Sequence, residues 1–441
     1  MAESNLPEPI LPAAWEPCAS MPRLRITNVR AICTAPEGIR LVVVKIETNE
    51  PEIYGLGCAT FTQRPLAVVE ALETYLKPQL IGRDPNDIED IYQTCYLSSY
   101  WRTGPIMNNA LSGVDQALWD IKGKRAGMPV YQLLGGKVRT AATVYTHASG
   151  RDVQEVEEHA RMLMGLGFTH IRAQVEIAGY STYGAQGGSE PADAGTPVQA
   201  HVGHRPTHLE PVQRPWHESS YLRAVPKLFE HLRMTLGDEV ELLHDIHERV
   251  SPIQAIGLAK ELEQFRLYFL EDPLAPEDIG WFPRLRQQTS IPIAMGELFV
   301  NQTEWETLIK DRLIDYIRVH ISAIGGLSIA RKLAAFAEFF GVRTAWHGPG
   351  DVSPIGHAAN LHLDISSTNF GIQELHLFND TAREVFPGTP EVRDGMLWCN
   401  DKPGLGVDID EKLAAKYPFP EHELHGAFPA VRRIDGSVIR W

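Results

Sequence analysis

Six polar residues recur at the ends of short apolar runs with a nearly constant period, and this register restricts the fold more than any other feature of the chain. The runs VELLHD, LYFLED, PIAMGE, DYIRVH, VRTAWH and FGIQE end on Asp245, Glu271, Glu297, His320, His347 and Glu374, in steps of 23 to 27 residues. A step of that size accommodates one strand, one helix and two short loops. The sequences between the runs carry helical periodicity. IQAIGLAKELEQF places Ile253, Ile256, Ala259, Leu262 and Phe265 on one face, and SIARKLAAFAEFF has Ser328 as its expected N-cap. TVYTH, ending at His147, and HIRAQV, around Arg172, raise the strand count to eight. Eight parallel strands at this spacing predict an α/β barrel with its chemistry at the carboxyl ends of the strands. A single acid after a buried strand is ordinarily a helix N-cap, but six polar residues in register argue against that reading for the set.

Upstream of the repeat, RLRITNVRAICTA and IRLVVVKIET read as two strands joined by a turn at Pro36, Glu37 and Gly38. Helical patterns follow. In NNALSGVDQALWDIKGKRAG, the residues Ala110, Val114, Ala117, Leu118 and Ile121 form one apolar stripe. The expected organisation is a proline-rich arm over 1–22, an α+β domain over 23–139, a barrel over 140–405 and a C-terminal segment over 406–441. One interval breaks the barrel rhythm: 71 residues separate Gln174 from Asp245. The Gly-, Pro- and His-rich segment at about 175–225 is expected to lie over the barrel mouth as a lid or an oligomer contact. Its histidines His201, His204 and His208 lack the spacing of a metal site.

Charge excludes some functions. The 41 basic residues against 56 acidic ones give a net charge of −15, which repels phosphate backbones and anionic lipid, so neither nucleic acid nor a membrane surface is an expected partner. The five cysteines (Cys18, Cys33, Cys58, Cys95, Cys399) form no CxxC pair, and no basic-then-apolar leader or run of eighteen apolar residues is present. A cytoplasmic location is the simplest expectation.

Asp245, Glu271 and Glu297, from consecutive strands, would converge at the mouth, an arrangement that favours a divalent cation among them. All-oxygen ligation points to Mg²⁺, with Mn²⁺ as a substitute. His247 lies two residues beyond Asp245 and shares its face if the strand continues, which makes it a candidate proton donor or acceptor, whereas His244 faces the other way and reads as structural. Arg172 cannot act as a base, but its guanidinium can favour a nearby phenolate, and Tyr180 and Tyr183 follow on the next loop. An Arg–Tyr base and a surface tyrosine remain equally open on spacing alone.

The run ALSGVDQALWDIKGKRAGMPVYQLLGG, the Asp245/Glu271/Glu297 triad and PGLGVDID resemble the enolase superfamily. RAQ…STYG, HDIHE, LEDP, MGE, HGPGDVSPIGHAANLHLD and FGIQE are similar to its mannonate dehydratase family, from about residue 23 onward. The resemblance implies a modified (β/α)7β barrel with an N-terminal α+β capping domain, a C-terminal segment returning to that cap, one Mg²⁺ per subunit and a homo-oligomer. It implies Tyr183 as the base, paired with Arg172, and His247 as the acid that assists loss of hydroxide. The implied ligands of an acid-sugar substrate are His147, Arg318, His347, Asp351 and Glu374, with Thr62 and Gln63 on the cap loop. Thr62 stands where many family members have asparagine, and Pro349 lies in a stretch that varies within the family. The implied reaction takes D-mannonate or D-gluconate to 2-keto-3-deoxy-D-gluconate. The alternatives are dehydration of a different hexonate, as in a galactonate-type dehydratase, an epimerase, and a metabolite-binding protein without activity.

Overall fold

The computed structural model describes residues 22–177, 215–420 and 431–440. The proline-rich arm up to residue 21 lies outside them, as do Tyr180, Tyr183 and the three histidines of the insertion. Strands β1 (Ile26–Thr34), β2 (Leu41–Thr48) and β3 (Tyr54–Cys58) form an antiparallel sheet in that order. Val42, Val43, Val44 and Ile46 of β2 are all fully buried, as expected for a β-branched run at the centre of a sheet covered on both faces.

The third strand was not legible in the sequence, because YGLGC carries two glycines, which are poor strand formers. The reason they stand there is the helix Pro105–Ala126, which packs directly on β3. A Cβ on Gly57 would lie 2.0 Å from Gly113 O, and one on Gly55 would lie 1.9 Å from Ala117 O. Only bare backbone permits this approach. The polar residues of VDQALWD face inward and tie this helix to other elements. Gln116 Oε1 accepts from Cys58 N (3.0 Å), and Asp120 accepts from Leu56 N (3.0 Å) and Leu405 N (2.8 Å). Asp115 Oδ2 accepts from Ser328 N (2.9 Å). That last bond corrects the expected N-cap. The helix Leu327–Phe339 begins after Gly326, so Ser328 is inside the first turn and its amide is capped by a carboxylate from the other domain.

The barrel strands are β4 (Ala142–Gly150), β5 (His170–Val175), β6 (Glu241–Asp245), β7 (Leu270–Glu271), β8 (Ile293–Met295), β9 (Tyr316–Ile317), β10 (Arg343–Thr344) and β11 (Gln373–Glu374). Neighbours from β4 through β10 pair in parallel, and β11 closes the ring by pairing with β4 and bridging from Phe370 to Thr344. All eight expected strands are present. Tyr145, Leu243, Phe269, Ala294, Tyr316, Ala345 and Ile372, from seven of the strand segments, pack as one apolar layer that fills the interior. The hairpin β12 (Glu391–Arg393) and β13 (Met396–Trp398) adds antiparallel to β4.

Helices follow β4 through β10, and the one after β5 begins at Glu218. In the helix Pro252–Leu262, Ile256, Ala259 and Leu262 are buried as expected, but Ile253 is 56% exposed, because it occupies the first turn before the helix meets the barrel. The chain then returns to the cap: Glu411 pairs with Arg30 and Lys45 at 2.7 Å each, and Tyr54 Oη donates to Asp408 Oδ2 at 2.7 Å. Among the described residues no helix is long and apolar enough to cross a membrane. Gly57→Ala should lower unfolding stability by about 1–3 kcal/mol through overpacking against the helix backbone, measured by urea denaturation, and an unchanged midpoint would show that the helix can retreat freely.

Candidate active site at the barrel mouth

The carboxyl ends of the strands bring together two guanidinium groups and five carboxylates. Asp245 and Glu271 lie side by side in the β6–β7 register. Arg318, one residue past β9, is fully buried. Its Nη2 lies 2.7 Å from Glu271 Oε1 and 2.6 Å from Glu374 Oε2, and its Nη1 lies 2.9 Å from Glu297 Oε2 and 3.1 Å from Asp272 Oδ2. Arg172 on β5 contacts Glu271 and lies 3.3 Å from Glu374 Oε1 and 3.5 Å from Asp245 Oδ2. Between them Tyr145 Oη donates to Glu271 Oε2 (3.1 Å) and accepts from Arg318 Nε (3.0 Å).

This concentration of negative charge shows in proton affinity. Burial pushes Glu271 up to about 8 despite Arg172 and Arg318, with Asp245 and Glu374 adding to the rise. Burial likewise raises Asp272 to about 7. The carboxylates outnumber the two guanidinium groups, and Glu271 and Asp272 hold protons more tightly than usual, a setting that a divalent cation would relieve. Glu271, Asp272 and Glu297 offer oxygens within 4.8 Å of one another. An all-carboxylate donor set of this size fits Mg²⁺ or Mn²⁺. The expected triad held Asp245 in place of Asp272. Asp272 escaped sequence reasoning because alternation along a strand would turn it away from Glu271, but the chain leaves β7 there with φ +36° and the alternation no longer applies.

A similar departure corrects the argument for His247. The strand does not continue past Asp245; His247 has a left-handed backbone, φ +53°. The turn still delivers its Nε2 to 3.6 Å from Glu297 Oε1. Burial opposes its charge, but Asp245 and the contact with Glu297 outweigh burial and raise it to about 9. His244 is bound by Tyr221 Oη (2.8 Å) and Ala173 O (3.1 Å), away from this cluster, which is a structural position.

The other expected substrate contacts divide into two groups. His147 Nε2 lies 2.7 Å from Glu374 Oε1, with Arg172 3.3 Å from its other nitrogen. His347 Nε2 lies 3.4 Å from Glu297 Oε2, and its Nδ1 lies 3.0 Å from His320 Nδ1. His320, His347 and Asp351 hold donor atoms within 4.8 Å of one another. The cap reaches this end of the barrel: Glu37 accepts from Asn379 N (2.7 Å) and meets His376 (3.1 Å), and Cys58 O accepts from Ser322 Oγ (3.3 Å). On the loop after β3, Thr62 is buried and its Oγ1 has no hydrogen-bond partner among the described residues, while Gln63 is half-buried. The expected base, Tyr183, lies outside the described residues; Arg172 is in place. Arg318→Met should cost about 3–5 kcal/mol by leaving buried carboxylates unpaired, and saturating Mg²⁺ should recover part of that loss in urea unfolding; equal stability with and without the arginine would overturn the charge balance described.

Two family models match the chain: the mandelate racemase / muconate lactonizing enzyme N-terminal domain over residues 21–135 and the enolase C-terminal domain-like model over residues 195–413. A D-galactonate dehydratase family member from Salmonella virchow is 56% identical over 431 residues, covering 95% of this chain and 100% of that protein. One from Streptomyces sp. is 48% identical over 441 residues, covering 100% of this chain and 97% of that protein. The crystal structure of an enolase from Pantoea ananatis, with bound D-gluconate and Mg, superposes with a TM-score of 0.85 at 54% identity, covering 95% of this chain and 100% of that one. A chain of such similarity across both domains is an enolase-superfamily enzyme of the hydro-lyase class, and it belongs to the D-galactonate dehydratase family.

Proposed function

We propose that the protein is an Mg²⁺-dependent acid-sugar dehydratase that converts D-mannonate or D-gluconate to 2-keto-3-deoxy-D-gluconate. The observation that carries this reading is the placement of the His247 imidazole 3.6 Å from Glu297, at the edge of a carboxylate cluster that could hold a divalent cation. The D-gluconate and Mg in the Pantoea ananatis relative agree with it. Asp245, Glu271 and Glu297 would hold the ion, with Asp272 beside them. When bound, Mg²⁺ supplies positive charge against the second negative charge that the substrate carboxylate gains as C2 loses its proton.

The rest falls to side chains of this chain. Arg318 and His347 would orient the carboxylate end of the substrate, and His147, Asp351 and Glu374 would bind its hydroxyls, with Thr62 and Gln63 closing from the cap. Tyr183, its phenolate favoured by Arg172, takes the C2 proton. His247 then donates its proton to the departing C3 hydroxyl, so water leaves and the enol tautomerises to the 2-keto-3-deoxy acid. Asp245 and Glu297 raise the proton affinity of His247, which suits it to the role of acid. A second reading, a galactonate-type dehydratase, is favoured by the names of the relatives. The assembly we propose is a homo-oligomer.

Incubation of the purified protein and Mg²⁺ with D-mannonate, D-gluconate, D-galactonate and other aldonic acids, scored for 2-keto-3-deoxy product, separates the readings; turnover of another acid alone would sink the first. Tyr183→Phe and His247→Asn should each lower kcat by about 10²–10⁴-fold without loss of Mg²⁺ binding in calorimetry.

A further inference from the structure

Asn108, in the first turn of the helix Pro105–Ala126, is only 2% exposed, and its side-chain amide reaches out of the cap into the barrel. Its Nδ2 donates twice, to Val300 O at 2.8 Å and to Ala323 O at 2.7 Å. These carbonyls belong to the turns that leave two neighbouring strands, β8 and β9. Each turn is closed on itself: Phe299 N donates to Gly296 O (3.0 Å) in the first, and Ala323 N donates to His320 O (2.9 Å) in the second. A turn of that kind keeps its own shape but can still swing about its strand end. A primary amide has two donors on one nitrogen and can hold two carbonyls at a fixed separation, whereas a hydroxyl has one donor.

Both turns bear on the site. Glu297 stands within the first, and Arg318 immediately precedes the second. The cap holds the segment after β9 at two further points, where Ser322 Oγ donates to Cys58 O (3.3 Å) and Ser328 N to Asp115 Oδ2 (2.9 Å). Asn108 extends that hold to the turn after β8. We propose that Asn108 is a positioning residue whose amide clamps the two turns at one separation and so fixes Glu297 relative to Arg318. It acts through the turns, from the other domain. Its consequence for catalysis rests on the proposed function, and the clamp itself does not.

Two variants test it. Asn108→Asp keeps the shape and removes both donors, and Asn108→Ala leaves room for water to bind the two carbonyls. Hydrogen exchange of the whole protein, read by mass spectrometry, should show the amides of 298–301 and 321–326 opening at a common rate in the unsubstituted chain. Each variant should speed exchange in both segments by about 10-fold or more and leave the β12–β13 hairpin, which pairs with β4, unchanged. In calorimetry, Mg²⁺ affinity should fall by about 10- to 100-fold, and kcat/KM on whichever aldonic acid is turned over should fall by a similar factor. A folded variant that merely melts earlier, with Mg²⁺ affinity and kcat/KM intact, would overturn the proposal, as would faster exchange in one segment alone. If neither variant folds, the unsubstituted protein decides: a common opening rate supports the clamp, and clearly different rates refute it. If the unsubstituted protein binds no Mg²⁺ or turns over none of the acids, the proposed function fails, and exchange alone decides the clamp.

Discussion

Arg318 is fully buried and lies within ion-pair distance of four carboxylates from three directions of the barrel mouth. Burying a charge costs several kcal/mol unless partners offset it, so neither the arginine nor the acids around it can be placed alone. Arg172 supports the same cluster from β5, and Tyr145 links Glu271 to Arg318 from below. The excess of carboxylates over guanidinium groups is what makes the mouth a candidate cation site. The same acids raise the proton affinity of His247.

The barrel alone does not complete this site. The helix Pro105–Ala126 holds β3 by close backbone approach and caps the helix Leu327–Phe339 through Asp115, so cap and barrel share buried hydrogen bonds. Those bonds fix the loop carrying Thr62 and Gln63 and the loop carrying Glu37 relative to the strand ends. A buried carboxylate with a backbone donor from another domain is costly to break, which makes the cap a rigid wall of the mouth. The polar residues of VDQALWD are therefore there for docking, and the candidate catalytic groups come from the barrel.

Much of the site was legible before any coordinates. Asp245, Glu271, Glu297, His320, His347 and Glu374 follow from one period, because a parallel barrel repeats its strand ends at the spacing of a strand, a helix and two loops, and Arg318 follows from the family resemblance. His147 and Arg172 follow from the same logic applied to the first two strands. The residues that escaped are those whose position depends on a departure from regular backbone or on a distant partner. Asp272 turns into the site through positive φ, as does His247, which was expected there but on a continuing strand; β3 depends on a helix some fifty residues downstream, and the cap of Ser328 comes from Asp115, 213 residues away in the chain.

The sequence by itself determined the barrel, its strand count, most of the acids at its mouth and the superfamily to which they point, because hydrophobic periodicity and strand-end chemistry are local properties. Only the tertiary structure decided how those charges pair, that Arg318 bridges four acids, that Asp272 joins the cluster and that His320 meets His347. Those are distances between side chains from different strands, and no local pattern encodes them.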